Sequence, residues 1–424
     1  MGGPIGRPVI PADHEQARAE KLHGLRARGE EPYPARFERT HSVGDLLETY
    51  SHLPPASETG QSVRVAGRVM TLRRHGGLAF ADLRDWTGKV QLFAQADRLG
   101  ARFEDLLEID LGDFLGLWGE VVTTRKGELS VRVEGFRLLS KSLRPWPEKW
   151  HGLKDIEARY RQRYLDLATN PAFRRILLDR SKAVAETRSF FDERGFVEVE
   201  TPMLQPLPGG ALARPFVTSH ETLGIDLYLR IAPELYLKRL VIGGLERVYE
   251  INRNFRNEGV SVKYNPEFTM LEAYQVLVDY RDMADLLEEL VRRVALAVRG
   301  SLRLPYGELE IDLERPFRRV RMVELIAEAG ADPEADLVAE CERLGIPHDP
   351  RWPWGKLLLE IYEKKVEPGL FQPTFVMDFP VEVSPLARRH RSDPRFTEHL
   401  DLMMGGLEIA PAYSELTDPD EQRR

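Results

Sequence analysis

The chain is poor in cysteine and has neither a long apolar run nor a leader-like start. Cys341 is the only cysteine among 424 residues, so no intrachain disulfide can form and a cysteine-based metal site is not expected. No apolar stretch reaches the roughly 18 residues of a membrane span, and residues 1–21 lack the apolar core of a signal peptide. These absences predict a cytoplasmic protein that has no membrane segment.

Basic residues are fewer than acidic ones, 60 against 68. The formal net charge is -8, which argues against a protein that coats nucleic acid in general. One stretch departs from this balance, because residues 141–182 contain eleven Lys or Arg and only five acids. Two interpretations stay open for this stretch, a solvated helix face or a local contact with a phosphate backbone.

The length predicts two or three domains. Between residues 62 and 140, five short alternating runs are separated by turns that contain glycine, which predicts a small five-stranded β-barrel. Phe80 and Asp82 then share one face of their strand, and Gln91 and Phe93 share one face of the next. Facing outward, such side chains would stack on a base and bind its edge. Facing inward, they would only pack the barrel, and the spacing leaves both possibilities open.

The rest of the chain has a different texture. A helical pattern covers residues 155–168, Asn170-Pro171 is a good start for a second helix that ends at Gly195, and FVEVET (196–201) alternates as a strand. Further strand-like and helical runs follow without an internal repeat. We therefore predict the α+β class, with a barrel domain followed by a larger domain of mixed sheet and helices.

The segment FRNEGVSVKYNPEFTM (255–270) concentrates charge between two strand-like runs. Alternation places Phe268, Met270, Glu272 and Tyr274 on one face of the second run. A buried carboxylate needs a partner, so this face predicts a pocket that stacks a flat ring at one end and holds a cation at the other. Arg256 could bind a carboxylate or phosphate there, although a surface charge beside a hairpin is the alternative.

A second carboxylate pair is predicted in DLMMGGLEIAPAYSEL (401–416). Gly405-Gly406 is a strong hairpin signal, which places Met403 opposite Glu408 and Asp401 diagonally on the same side. Two converging carboxylates without a Cys or His neighbour suit a hard cation such as Mg²⁺. The alternative is a solvated edge hairpin.

Taken together, these motifs resemble the bacterial lysyl-tRNA synthetases, a class II family with an N-terminal OB-fold anticodon-binding domain. The resemblance extends from about residue 13 to the last residue. It is carried by RYRQRYLDL (159–167), GFVEVETPML (195–204), PGGALARPF (208–216), LYLRIAPELYLKRL (227–240), FRNEG with NPEFTMLEAY, and EVSPLARR (382–389).

The resemblance implies an organisation and an assembly. It divides the chain into an N-terminal helical extension (1–60), the OB-fold (61–145), a hinge (146–170) and the class II catalytic domain (171–424). Residues 171–204 are expected to lie at the twofold interface of a homodimer.

The resemblance also implies the activity and the site. The expected function is lysine–tRNA ligase, with lysine, ATP and tRNA as partners and Mg²⁺ as cofactor. Arg256 is the expected catalytic residue, bridging the α-phosphate of ATP and the carboxylate of lysine. The other roles implied are ATP binding by Glu258, Asn265 and Phe268, and lysine binding by Gly210, Glu234, Glu272, Tyr274, Tyr413 and Glu415. Mg²⁺ is expected on Asp401 and Glu408, and anticodon reading at Phe80, Gln91 and Glu128.

Four features depart from the family pattern. Tyr264 replaces a His near the β- and γ-phosphates, Pro411 replaces an Asn at the substrate carboxylate, and Asp401 replaces a Glu. The sequence also stops at DPDEQRR, before the third signature of the family, and on that ground we expect slow formation of lysyl-adenylate or none. The alternative function is a catalytically impaired or altered-specificity paralogue that binds tRNA or amino acid.

Overall fold

The computed structural model describes residues 12–145, 155–261 and 264–423. The chain divides into two compact units, Met1–Pro171 and Ala172–Arg424. The first nine residues of the expected hinge, 146–154, lie outside the described residues, and the finer domain boundaries stay a prediction. Within the described residues, no helix is both long and apolar enough to cross a membrane.

The first unit is built around a closed five-stranded barrel. Its elements are α1 (Ala12–Ala27), α2 (Val43–Tyr50), β1 (Glu58–His75), β2 (Leu78–Arg84), β3 (Lys89–Gln95), α3 (Ala96–Leu99), α4 (Arg102–Leu107), β4 (Phe114–Thr123), β5 (Leu129–Ser140), α5 (Ile156–Arg161) and α6 (Arg163–Thr169). The strand order around the barrel is β1-β2-β3-β5-β4. Alternate residues of β2 and β3 enter one apolar core, as Ala81 and Leu83 do on β2, and side chains of β1, β4 and β5 complete it. The predicted barrel is confirmed.

The prediction of a single helix over residues 155–168 is wrong, because the segment forms two helices. Gln162 has φ -113° and ψ 53°, which separates α5 from α6. The break is associated with the buried carboxylate of Asp166, which accepts hydrogen bonds from Arg159 Nε at 2.9 Å and Arg163 Nη1 at 3.1 Å. A buried carboxylate needs such partners, and the two arginines come from the two sides of the break.

The second unit combines mixed sheets with helices. Its elements are α7 (Pro171–Glu193), β6 (Val197–Glu198), β7 (Leu204–Gln205), β8 (Val217–His220), β9 (Ile225–Leu229), α8 (Glu234–Ile242), β10 (Arg247–Phe255), β11 (Glu267–Gln275), α9 (Tyr280–Arg299), β12 (Arg303–Tyr306), β13 (Leu309–Asp312), β14 (Arg318–Arg321), α10 (Met322–Glu328), α11 (Leu337–Leu344), α12 (Trp354–Ile361), β15 (Thr374–Met377), β16 (His399–Met404), β17 (Leu407–Tyr413) and α13 (Pro419–Arg423). A π-helix (Tyr362–Val366) and a 3-10 helix (Glu367–Gly369) follow α12.

Two sheets of the second unit carry most of the predicted site residues. One has the order β11-β10-β6, in which β10 and β11 are antiparallel and β6 is parallel to β10. The other has the order β14-β15-β16-β17, with β14 parallel to β15 and the remaining pairs antiparallel. The strand predicted over 196–201 is shorter, because only Val197–Glu198 pair as a strand with β10. The predicted α+β class is confirmed.

Candidate active site

Arg256 and Phe268 lie together where β10 and β11 meet their connecting loop. Asn254 pairs with Phe268 across the two strands, and the backbone N–H of Arg256 donates to Pro266 O at 2.9 Å. The half-buried guanidinium of Arg256 lies over the Phe268 ring, 5.2 Å from its centroid. Its Nε is buried, and among the described residues it has no hydrogen-bond acceptor. This geometry favours the ligand-binding interpretation of Arg256 over an ordinary surface charge.

The loop residues of the expected ATP site are more open. Glu258, Tyr264 and Asn265 are all exposed, and the Tyr264 N–H donates to Ser261 Oγ at 3.1 Å. Residues 262 and 263, which separate Ser261 from Tyr264, lie outside the described residues. Glu258 is two residues after Arg256, and Asn265 precedes Pro266, whose oxygen accepts from the Arg256 N–H. Neither side chain is assigned a contact, so their roles stay predictions.

A cluster of carboxylates forms around Lys238 of α8. Its Nζ donates to Glu234 Oε1 at 2.8 Å and to Glu415 Oε2 at 2.9 Å. The same Nζ lies 5.8 Å from the centroid of the Tyr274 ring. Tyr274 in turn donates its hydroxyl to Glu272 Oε1 at 2.8 Å. Four of the predicted lysine-binding residues are therefore in one place, together with a lysine that was not predicted there.

The electrostatics of this cluster are those of a cation site. The pKa of Glu272 is raised to about 7, mainly by burial and also by the charges of Glu234 and Glu415, while Tyr274 and Lys238 act in the opposite direction. A carboxyl in this state becomes fully ionised when a cation arrives. The cluster is thus suited to bind an ammonium group of a ligand.

Gly210 is packed directly against Glu234. Its φ is +86°, and a Cβ added there would lie 3.0 Å from Glu234 Cβ and 3.1 Å from Ala232 Cβ. Both the backbone conformation and the space therefore call for glycine.

We expect Gly210→Ala to weaken lysine binding by about tenfold or more, because the strain is of the order of 1–3 kcal/mol and would displace Glu234. Titration calorimetry with lysine measures the change. Gly224→Ala is the matched control, since Gly224 also has positive φ, +62°, but nothing lies within 4 Å of an added Cβ. If both variants lost the same lysine affinity, backbone strain alone would explain the loss, and the contact between Gly210 and Glu234 would have no part in it.

The β16–β17 hairpin contains a bulge that changes which side chains share a face. Met403 pairs with Glu408 as predicted, but Leu402 already pairs with Ala410, so Ile409 is an extra residue. If β17 alternated strictly, Tyr413 and Glu408 would lie on opposite faces of the hairpin. The bulge restores both to one side, where Tyr413 stacks on His399 at 4.3 Å between ring centroids. Pro411 lies opposite Asp401 in the same ladder.

Asp401 and Glu408 form the expected metal position. The pKa of Glu408 is raised to about 7 by burial and by the charges of Asp401 and Glu367, and Arg256 lowers it. The two predicted carboxylates are therefore close together and near Arg256. The expectation that no His lies beside them is wrong, because His399 Nε2 lies 3.1 Å from Asp401 Oδ1. Within the described ranges, no group of three or more His, Cys, Asp or Glu side chains is arranged to hold a metal ion.

A buried ion pair supports the sheet beneath the site. Arg230 donates from Nη1 to Glu250 Oε1 at 2.8 Å, and Thr201 Oγ1 donates to Glu250 Oε2 at 2.6 Å. Glu250 faces Glu272 across β10 and β11, but its charge is matched by Arg230, which is 1% exposed. Breaking such a pair is strongly destabilising, so this contact fixes the start of β10 below the carboxylate cluster.

In the barrel, Phe80 and Phe93 lie on the outer face. Their rings stack at 5.2 Å between centroids with planes 16° apart, and both are half-buried. The neighbouring residues Ala79 and Ala81 enter the core instead. The interpretation that Phe80 packs the barrel interior is therefore wrong.

Gln91 lies on the same outer face and accepts a hydrogen bond from Ser130 Oγ at 3.0 Å. Ser130 Oγ also bonds to the backbone oxygen of Glu128, whose side chain is exposed. The three predicted anticodon positions thus lie on or beside one outer surface of β2, β3 and β5. Their roles stay predictions.

Part of the basic stretch 141–182 is committed to internal pairs. Lys141 is buried between Asp110 and Asp113, with Nζ 2.7 Å from Asp113 Oδ2. Arg159 and Arg163 share Asp166. For Lys141, both interpretations are wrong, because its side chain neither lies on a solvated helix face nor is free to contact phosphate.

Four important residues were missed in the sequence. Lys238 is four positions after Glu234 in a helical segment, which is the spacing of an ion pair and could have indicated it. Glu367 and the pair Arg230–Glu250 are separated from the site motifs in sequence, and no local pattern marks them.

The chain matches two family models. One describes class II tRNA synthetases (D, K and N) and covers residues 155–424, and the other describes an OB-fold nucleic acid binding domain and covers residues 63–139.

Curated relatives match nearly the whole chain. A lysine–tRNA ligase of Carboxydothermus hydrogenoformans is 49% identical over 415 residues, which are 96% of this chain and 84% of the relative. That of Xanthomonas campestris pv. campestris is 49% identical over 430 residues, covering 98% and 85%. That of Pasteurella multocida is 49% identical over 418 residues, covering 96% and 83%.

Proposed function

Because the chain belongs to the class II tRNA synthetase family, among its lysine–tRNA ligases, we propose that it activates lysine with ATP and transfers it to tRNA. One observation carries the assignment of the site. Glu234, Glu272 and Glu415 converge at one end, while Arg256 lies over Phe268 at the other. Phe268 and Glu272 are four residues apart on one strand, about 13 Å at about 3.3 Å per residue. That span fits lysine joined to the α-phosphate of a nucleotide.

At the acidic end, the α-ammonium group of lysine binds Glu234 beside Gly210, and the side-chain ammonium binds Glu272 and Glu415. Tyr274 and Tyr413 line this subsite. An amino acid with a neutral side chain would leave the carboxylates without a cation, and aspartate would be repelled by them. This is why the lysine enzyme is favoured over those for aspartate and asparagine.

At the nucleotide end, Phe268 stacks on adenine while Glu258 and Asn265 contact the nucleotide. Arg256 binds the α-phosphate and the carboxylate of lysine, and its free Nε is available for this. In the reaction, a carboxylate oxygen of lysine attacks the α-phosphorus and the bond to pyrophosphate breaks. The guanidinium stabilises the charge that develops on the phosphate oxygens.

Asp401 and Glu408 would hold Mg²⁺. The donor set fits, because Mg²⁺ is bound through one or two carboxylates together with substrate phosphates and waters. When bound, the ion neutralises phosphate charge and orients the leaving pyrophosphate. Asp401 is close enough to raise the pKa of Glu408, so a cation between the two carboxylates is favourable.

Charging of tRNA tests the proposed function. Purified protein, ATP and unfractionated tRNA are incubated with labelled lysine, aspartate or asparagine. Whatever the rate of charging, any label in acid-precipitable tRNA is expected with lysine alone. Label with aspartate or asparagine would contradict the assignment of the acidic subsite.

The barrel is proposed to read the anticodon through Phe80, Gln91 and Glu128. We expect Phe80→Ala to weaken tRNA binding by about 1–3 kcal/mol, the worth of one stacked base. Filter binding measures the loss, and lysine-dependent ATP–pyrophosphate exchange without tRNA serves as the control and should not change. Unaltered tRNA affinity would exclude Phe80 from the interface.

We propose a homodimer formed through residues 171–204. Apolar side chains in this range are exposed in the single chain: Ile176 58%, Leu178 46%, Val197 47% and Met203 44%. Large apolar side chains exposed within one short range favour an interface there, and a twofold dimer is the commonest assembly. We also propose the cytoplasm as the compartment, where tRNA is present and the single Cys341 stays reduced.

Ile176→Glu is expected to convert the dimer to a monomer in light scattering at micromolar concentration, because it places a charge in an apolar interface. Leu309→Glu is the control, since Leu309 is similarly exposed, 59%, outside the proposed surface. A monomeric parent protein, or a dimer unaffected by Ile176→Glu, would contradict this assembly.

A further inference from the structure

Lys238 has no role in the site as described above, yet its ammonium lies at the centre of the lysine subsite. It donates to Glu234 on its own helix and to Glu415 at the end of β17, at 2.8 and 2.9 Å. Its side chain is 31% exposed, and those of Glu234 and Glu415 are 23% and 36% exposed. One nitrogen thus connects the proposed α-ammonium subsite to the proposed side-chain subsite.

Charge counting shows why such a residue is needed. Glu234, Glu272 and Glu415 bring three negative charges, and Lys238 brings one positive charge. Two negative charges remain, and free lysine carries two ammonium groups. The carboxylate of lysine is matched separately by Arg256. Without Lys238 the subsite would hold one carboxylate too many for its ligand.

The geometry allows Lys238 to stay in place when lysine binds. It contacts only one oxygen of each carboxylate, Oε1 of Glu234 and Oε2 of Glu415. The second oxygen of each can accept from an ammonium group of the ligand, since a carboxylate has about four lone-pair positions. Both carboxylates would then be held at a fixed separation, which favours a ligand of one chain length.

We propose that Lys238 is a positioning and specificity-determining residue that stays bound to Glu234 and Glu415 in the lysine complex. It matches the charge of the subsite to two ammonium groups, and it couples the positions of the carboxylates that bind them. This inference rests on the proposed function, and it adds a residue that does not touch the reacting atoms.

A consequence for pH follows from the groups that surround Glu272. These are Glu234 and Lys238 from α8, Tyr274 from its own strand, and Glu415 after β17. The pKa of Glu272 is about 7, and lysine requires the ionised form, so lysine affinity should rise as pH increases through this value. Lys238 lowers this pKa. Removing Lys238 should therefore move the rise in affinity to higher pH.

The test is calorimetric titration of lysine and ornithine into the full chain at slightly acid, neutral and mildly alkaline pH. Lys238→Met removes the ammonium, and Lys238→Arg keeps the charge and can still contact both carboxylates. Arg239→Met is the matched control, because Arg239 is exposed on the same helix and lies over Tyr236 instead. ATP binding by each variant reports whether it is folded.

For Lys238→Met at neutral pH we expect lysine affinity to fall by about tenfold or more, since hydrogen bonds to charged groups are lost. The pH at which lysine affinity rises should be higher than in the parent, and the preference for lysine over ornithine should be smaller. Lys238→Arg should recover most of the affinity, and Arg239→Met should behave like the parent.

Three results would overturn the proposal. Unchanged affinity and pH profile in Lys238→Met would leave Lys238 with a structural role only, and tighter lysine binding would show that its ammonium competes with the ligand. A parent chain that binds ATP but not lysine at any pH would overturn the proposed function, and this inference with it. Loss of lysine binding in Lys238→Met alone, with binding kept by the parent chain, would leave the proposed function intact.

Discussion

Replacing Arg256 by methionine is expected to lower the rate of adenylate formation by about 10³-fold or more, the range found for cations that stabilise a phosphoryl-transfer transition state. The guanidinium is half-buried, packs over Phe268 and has a free Nε directed to no described acceptor. Methionine keeps most of the length and apolar contact of the stem but removes the charge. Lysine-dependent ATP–pyrophosphate exchange, measured relative to the parent, gives the effect.

Arg253→Met provides the matched control. Arg253 lies on β10, three residues before Arg256, is exposed, and pairs with Glu267 at 3.5 Å, so its loss removes equal charge away from the site. We expect exchange within a few-fold of the parent. If Arg253→Met and Arg256→Met lost the same activity, general electrostatics would explain the result and Arg256 would not be catalytic.

Replacing Glu272 by glutamine is expected to weaken lysine binding by about 3–5 kcal/mol, because an ammonium would be left with too few carboxylates in a buried subsite. ATP affinity should stay near that of the parent, since Phe268 and Arg256 are at the other end of the strand. Calorimetry with each ligand separates the two effects. Glu415→Gln should act in the same direction, because Glu415 belongs to the same carboxylate cluster.

Glu267→Gln is the control for both acidic variants. Glu267 lies on β11 as Glu272 does, but it is exposed and pairs with Arg253. Lysine affinity should not change in this variant. A Glu272→Gln protein that lost lysine and ATP affinity equally would instead indicate a disturbed sheet and would remove the basis for the ammonium subsite.

Much of the site could be predicted because it depends on local patterns. The strict alternation of β11 places Phe268, Glu272 and Tyr274 on one face, and the structure brings Glu272 and Tyr274 into hydrogen-bonding contact. Gly405 and Gly406 both have positive φ, as the predicted hairpin turn requires. In each case neighbouring residues determine the geometry, so one stretch of sequence contains the information.

The rest depends on contacts between distant segments or on single irregularities. The bulge at Ile409 places Tyr413 on the face of Glu408, and a register change of one residue leaves no mark in an alternating pattern. Lys238 reaches Glu415 across 177 positions, and Glu367 approaches Glu408 of β17 from the 3-10 helix. The orientation of Phe80 was undecided because either face of a barrel strand can carry an aromatic ring.

The central claim is that the three glutamates select lysine for activation at Arg256. ATP–pyrophosphate exchange by the purified chain, run with lysine, ornithine, norleucine, arginine and aspartate in turn, tests it most directly. We predict exchange that depends on lysine and is reduced at least about a hundredfold with norleucine, because its neutral side chain leaves buried carboxylates unpaired. Exchange with norleucine or aspartate at a rate similar to that with lysine would contradict the account.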